Sequence, residues 1–349
     1  VRMEDALAKM RLGMYAQFRE GSAWHDLKET ARSITEHHID TRLATLVSDD
    51  THPHTLIKQG HLDHIVRRAI EEGINPITAI QMVTLNVAEC FGMSRDLGSV
   101  APGKFADILL LSDLTQVQVE QVLINGQLVA RQGQMLVTSP EFLYPSFARH
   151  SVHLPAELMA LDFAIPTTDA QVTSVIARAM QIIEAKVGTI SRQVVLPVVE
   201  GFVQNDLGQD VAKAAVIERH HGTGTIGLGF VQGFQLEGGA VASTVAHDSH
   251  NLLIVGTNDE DMALAGNKLA EVGGGMVVVR NGEVLALLPL PIAGLMSDRP
   301  LAEVAAAVAQ LDQAWKALGC NLVSPFMTMA LLALAVLPEL RLTNRGLVD

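Results

Sequence analysis

The chain has 349 residues, 48% of them hydrophobic and 18% charged, with a net charge of −13. That is ample core material for two domains, or three small ones. The acidic surplus argues against a surface for nucleic acid or anionic membrane and leaves a neutral or cationic small molecule as the expected partner. Two cysteines, Cys90 and Cys320, make no disulfide framework and fit a reducing cytoplasm.

No secretory signal opens the sequence. An amphipathic pattern begins directly after Val1, as in a chain entered partway. Residues 1–92 alternate helix and strand patterns. "MEDALAKMRLG" reads as helix, "MYAQF" as strand, "REGSA" as loop and "HDLKETARSITEHH" as helix. The strand "LATLVS" follows, then the helix "HLDHIVRRAIEEG", which puts Leu62, Ile65, Val66, Ala69 and Ile70 on one face. "NPITAIQMVTLNVAECFG" reads as one more helix, with Pro76 near its start and Gly92 after its end. Strand–loop–helix units in series predict a parallel α/β sheet or barrel.

Residues 93–138 change to β. "GSVAPGKFADILLLS" has a Pro-Gly turn before a strand, and Asn125-Gly126 between two apolar runs predicts a hairpin. Residues 139–165, with Pro140, Pro145 and Pro155, read as a linker. Residues 166–349 read as an α+β domain. A second hairpin turns at Asn281-Gly282, Gly273–Gly275 ends the helix "DMALAGNKLAEV", and Gly319 stops the long helix "LAEVAAAVAQLDQAWKALG". The longest apolar run, Met329 to Leu337, stops at Pro338, well short of the ~20 residues that span a bilayer.

Three stretches carry candidate chemistry. In "LATLVSDDTHPH" a strand delivers Asp49 and Asp50 at its C-terminal end, where the loops of a parallel barrel share one mouth. Asp49 is a candidate metal ligand or general base; the competing reading is that Asp49 or Asp50 caps the next helix. His52 and His54 suggest a His-x-His metal pair, but Pro53 cannot donate in a central ladder, so both are expected in a loop. Gly222, Gly224 and Gly227 have dinucleotide-motif spacing without the helix that such a site requires, so glycine-rich turns are the better account. In "AHDSHN", His247, Asp248 and His250 crowd between small residues and an apolar strand, which suggests a site; a polar cap or a local metal site are the alternatives.

Taken together, "MRLGMYAQFREGSAWHDL", "LVSDDTHP", "GSVAPGKFADILLL", "GGAVASTVAHDSHNLLIVGTND", "LPLPIAGLMSD" and "PFMTMALLALAVLPELRLTNRGLVD" resemble the adenine deaminase family of the amidohydrolase superfamily. The resemblance runs from Val1 to Asp349 in consistent order. It implies the end of a (β/α)8 metal-dependent hydrolase barrel over 1–92, a small β domain segment over 93–138, and the family's C-terminal α+β domain over 166–349. "MYAQF" then resembles strand 7 and "LATLVSDD" strand 8, so the first six barrel strands and their metal ligands are expected outside this sequence. The chain by itself is therefore expected to be inactive, with the missing N-terminal half as a possible partner.

The implied reaction is hydrolysis of adenine to hypoxanthine and ammonia by metal-activated water, with manganese or iron as the metal. Asp49 is the implied metal ligand and proton shuttle. Arg19, Glu20, Ser22, Asp50, His247, Asp248 and His250 are substrate-contact candidates. A cytoplasmic homo-oligomer with no nucleic-acid or membrane partner is expected. Two other readings stay open: an amidohydrolase acting on a cyclic amide or another base, and a scaffold without activity.

Overall fold

The computed structural model describes residues 2–138, 142–169, 171–184 and 186–349. They group into two compact units, 1–142 and 143–349.

In the first unit, α1 (Met3–Arg11) buries Met3, Ala6, Leu7 and Met10. β1 (Ala16–Arg19) pairs in parallel with β2 (Ala44–Val47), with Arg19 opposite Val47. Two parallel strands need a crossover, and α2 (Leu27–Thr35) supplies it, burying Leu27 and Ala31. The helix expected after β2 forms as α4 (Leu62–Glu71), and a short helix, α3 (Pro53–Lys58), precedes it where a loop was expected. On α4 only Ile65, Val66 and Ala69 are buried; Leu62 is exposed and Ile70 half-buried, so the apolar face is narrower than its five-residue pattern.

The single helix expected over 75–92 is broken into α5 (Pro76–Gln81) and α6 (Leu85–Cys90). The Met82 carbonyl at the break accepts the Leu46 amide at 3.1 Å, so it serves β2 instead of a further helical turn. The Asn86 side chain then donates to the Thr41 and Ala44 carbonyls, both at 2.8 Å, which anchors α6 beside β2. A meander follows: β3 (Ile108–Asp113), β4 (Gln118–Ile124), β5 (Gln127–Arg131) and β6 (Gln134–Met135), in that order across the sheet. Asn125 and Gly126 both have positive φ, +48° and +76°, as the tight hairpin between β4 and β5 requires.

In the second unit a ten-stranded sheet runs in the order β16-β15-β13-β14-β11-β12-β8-β9-β10-β7. The strands are β7 (Ile165–Pro166), β8 (Ser174–Ile182), β9 (Thr189–Val199), β10 (Phe202–Val203), β11 (Val211–Ile217), β12 (Ile226–Gln232), β13 (Ala240–Ser243), β14 (Leu252–Gly256), β15 (Gly275–Arg280) and β16 (Glu283–Pro289). The β12–β8 pairing is parallel and the others are antiparallel. Alternate residues leave the central strands on opposite faces. Ala215, Ile217, Leu252, Ile254, Val277 and Val279 pack with Met262 and Leu269 of α7 (Asp259–Glu271). Ala214, Val216, Leu253, Val255 and Val278 pack with Leu311 and Trp315 of α8 (Leu301–Ala317). Both faces are covered, which is why β11 is buried at every position. α9 (Pro325–Ala330) and the small hairpin of β17 (Arg341–Thr343) and β18 (Gly346–Val348) complete the α8 side, with Met329, Leu340 and Leu342 in that core.

The stretch 139–165 differs from the expected linker. Residues 139–141, Pro140 among them, lie outside the described residues. Farther on, Leu158 and Phe163 are buried in the α7 core, and the Asn267 amide both donates to and accepts from the Leu158 backbone at 2.9 and 2.8 Å. Those contacts make the segment part of the second unit.

Candidate active site

Parallel pairing puts the C-terminal ends of β1 and β2 side by side, so residues 30 apart in sequence meet. The Glu20 amide donates to the Val47 carbonyl and the Ser22 amide to the Asp50 carbonyl, each at 3.0 Å. Between them Gly21 has no room for a side chain: a Cβ there would stand 2.9 Å from the Asp50 carbonyl oxygen and 3.0 Å from that of Ser48. Asp49 takes a left-handed φ of +54°, a conformation that aspartate tolerates better than most residues.

The ion pairs of this end are specific. Arg19 Nη1 donates to Asp49 Oδ2 at 2.9 Å, while Nε donates to Asp26 Oδ2 at 2.9 Å. The guanidinium also lies 5.6 Å from the centre of the Trp24 ring. Partial burial weakens the Arg19 charge, but the bonds from Asp49 and Asp26 outweigh it and raise its pKa. Glu20 is buried, with His25 Nδ1 at 3.1 Å and Arg68 Nε at 3.6 Å. Ser22 Oγ accepts the His52 amide at 2.8 Å and donates to Thr55 Oγ1 at 2.9 Å. Ser48 Oγ lies 3.2 Å from His61 Nε2.

The start of the next helix bears on the capping reading of Asp49 and Asp50. His52 occupies the N-cap of α3, so neither aspartate caps that helix. His54 lies within α3 rather than in a loop, which corrects the placement expected from Pro53: Pro fits the first turn of a helix, where its missing N–H costs nothing. The two imidazoles are 5.4 Å apart, edge to face. Asp49 offers a metal ion one carboxylate. Among the described residues no group of three or more His, Cys, Asp or Glu side chains could hold an ion. The metal-ligand role expected of Asp49 thus lacks companion ligands here, and these residues do not make a metal centre by themselves.

The second unit gathers His247, Asp248 and His250 on the turn between β13 and β14. No helix starts there, which removes the capping alternative. The His247 amide donates to the Ala330 carbonyl at 3.1 Å and the His250 amide to the Ala246 carbonyl at 2.7 Å. The rings of His247 and His250 are 5.5 Å apart, edge to face. Burial, then the neighbouring His247 and Arg219, lower the His250 pKa. In the glycine-rich stretch, Gly227 lies in β12 and no helix follows, in agreement with turns and strands rather than a nucleotide site.

Sequence reasoning found Arg19, Glu20, Ser22, Asp49 and Asp50, which the structure brings to one strand end. It missed Asp26, because an aspartate before a helix reads as a cap; its carboxylate makes no cap bond and goes to Arg19 instead. It also missed Arg219, which underlies the 247–250 turn.

Two family models match: the adenine deaminase C-terminal domain over residues 186–349 and the amidohydrolase family over residues 33–129. An adenine deaminase of Moorella thermoacetica is 63% identical over 348 residues, covering 100% of this chain and 58% of that protein. One from Clostridium botulinum strain 657 is 60% identical with the same coverage, and adenine deaminase 3 of Rhizobium meliloti is 46% identical. This chain therefore spans 58% of the length of the first two relatives. A solved amidohydrolase from Thermotoga maritima is 28% identical but covers 31% of this chain and 28% of its own at a TM-score of 0.25, too low to carry the fold.

Proposed function

Because this chain carries the adenine deaminase C-terminal domain and an amidohydrolase-family segment, we propose that it is part of a hydrolase that converts adenine to hypoxanthine and ammonia. Residues 1–92 are the last βα units of the barrel in this reading, 93–138 the small β domain, and 166–349 the C-terminal domain. A divalent metal, manganese or iron, a cytoplasmic location and a homo-oligomeric state belong to the same proposal. No helix of the described residues is long and apolar enough to cross a membrane.

One observation carries the assignment of roles: the parallel β1–β2 pair delivers Asp49 to the strand end with Arg19 bonded to it at 2.9 Å. Asp49 accepts a proton from the attacking water and passes it to the departing amine. Arg19 fixes the carboxylate, and Asp26 fixes Arg19 from the other side. Glu20, Ser22 and Asp50 line the approach as substrate-side groups, and His247, Asp248 and His250 are further substrate contacts. Adenine is neutral, so the net charge of −13 does not oppose its entry.

The test uses a protein of the relatives' full length. Asp49→Asn keeps the shape of the side chain and loses its basicity; kcat for ammonia release is expected to fall at least ~100-fold, the scale of lost acid–base catalysis. Asp50→Asn is expected to cost less. The assignment fails if Asp50→Asn abolishes turnover while Asp49→Asn stays near the wild-type rate.

A further inference from the structure

Arg219 is 1% exposed, and it sits where three loops meet. Its Nε donates to the His250 carbonyl at 2.5 Å and its Nη2 to the Ala293 carbonyl at 3.1 Å. Nη1 donates to the Ser151 carbonyl at 2.7 Å and to Ser151 Oγ at 3.0 Å. Each of these acceptors is a neutral oxygen. Burying a guanidinium among such oxygens is costly, and burial does lower the Arg219 pKa to about 10 against the opposing charge of Glu218. Packing alone does not call for a cation here, because an apolar side chain of similar volume would fill the space without that cost. Arginine adds a rigid fork of five donors that can hold several carbonyls at fixed angles.

The held segments are themselves tightly placed. Gly294 has a φ of +71°, and a Cβ there would lie 2.9 Å from Arg219 Nη1, so the guanidinium occupies the space a side chain would need. The Gly294 carbonyl accepts from Thr244 Oγ1 at 2.6 Å, and that hydroxyl oxygen accepts the Gly275 amide at 2.8 Å, which ties the loop to β15. On the other side, His250 has a left-handed φ of +49°. The Ala246 amide donates to its Nδ1 at 3.1 Å. An Nδ1 that accepts cannot carry a proton, so the ring is held neutral with its hydrogen on Nε2.

We propose that Arg219 is a positioning residue for adenine hydrolysis: by pinning the His250 carbonyl to the Ser151 and Ala293 segments, it fixes the turn in the one arrangement that leaves His250 Nε2–H as a donor. The role rests on the functional reading given above, in which the 247–250 turn meets the substrate. The groups facing His250 are His247, Arg219, Asp248 and His220.

The test compares Arg219→Met, Arg219→Lys and Gly294→Ala in a protein of the relatives' full length. Two quantities are read: kcat and KM for adenine, and the His250 titration midpoint from its Hε1 proton resonance, assigned with His250→Gln. Arg219→Met is expected to lower kcat at least tenfold and to raise the His250 midpoint, since a nearby cation and the fixed Nδ1 bond are both weakened. Arg219→Lys is expected to restore part of the rate, and Gly294→Ala to reproduce the loss by displacing the guanidinium. If Arg219→Met does not fold, the other two variants decide. Wild-type kcat, KM and His250 midpoint in folded variants would overturn the proposal, as would a shifted midpoint with unchanged kinetics. A wild-type protein inert toward adenine would overturn the functional reading instead, and the midpoint would still report whether Arg219 holds the turn.

Discussion

Glu218, next to Arg219, shows how much one side chain can contribute where a strand opens into a loop. Burial alone would raise its pKa, but the amides of Thr223, His221 and His220 and the Thr223 hydroxyl donate to the carboxylate and hold it down to about 2. A carboxylate depressed from 4.5 to about 2 stabilises the folded state above pH 4.5 and loses that contribution as pH falls toward 2. The contribution is up to about 3 kcal/mol. Glu218→Gln is therefore expected to be less stable in urea at pH 7 by roughly 2–3 kcal/mol, and the gap to wild type should close on acidification. A gap that stays constant from pH 7 to pH 3 would contradict the account. Residues of this kind are poorly legible in sequence. Asp49 could be picked out because a strand pattern ran straight into it, and the carboxylates of a parallel sheet gather at that end. Glu218 and Arg219 look like a solvated pair at a strand exit. The burial of Arg219 depends on oxygens of Ser151, His250 and Ala293, which no local pattern announces.

Elements were legible wherever local chemistry and tertiary context agreed. Both Asn-Gly hairpins form, with positive φ at Asn125, Gly126, Asn281 and Gly282. α7 and α8 follow their apolar patterns and stop near the expected glycines. The break between α5 and α6 was not legible, because its cause is a hydrogen bond from Leu46, far off in sequence. Gly227 gives a test of close packing at this scale. A Cβ there would fall 1.9 Å from the Thr343 carbonyl oxygen, near the start of β12 where the β17–β18 hairpin docks. Gly282 has a φ of +78° and open space around it. Gly227→Ala is expected to cost more than ~2 kcal/mol from the steric clash, and Gly282→Ala only about 1 kcal/mol from the left-handed backbone. Thermal unfolding of the two variants measures the difference; equal melting temperatures would mean the hairpin does not abut β12.

At the scale of the whole molecule, the second unit holds three apolar clusters drawn entirely from residues beyond 153. A domain with its own core can fold alone. Residues 143–349, expressed separately, are expected to unfold in one cooperative thermal transition with a dispersed amide NMR spectrum; a melt without a transition would show that this core depends on residues 1–142. The order of strands in that core has a consequence for its synthesis. Met180 and Ile182 of β8 share a cluster with Leu340 and Leu342, and the Thr189 hydroxyl donates to the Leu340 carbonyl at 2.8 Å. A ribosome working at 5–20 residues per second needs roughly 10–40 s to travel from the start of this unit to those leucines. Until then the β8 end of the nascent sheet lacks the β17 cover that completes its cluster, so the yield of folded protein depends on how well that face is shielded while translation catches up.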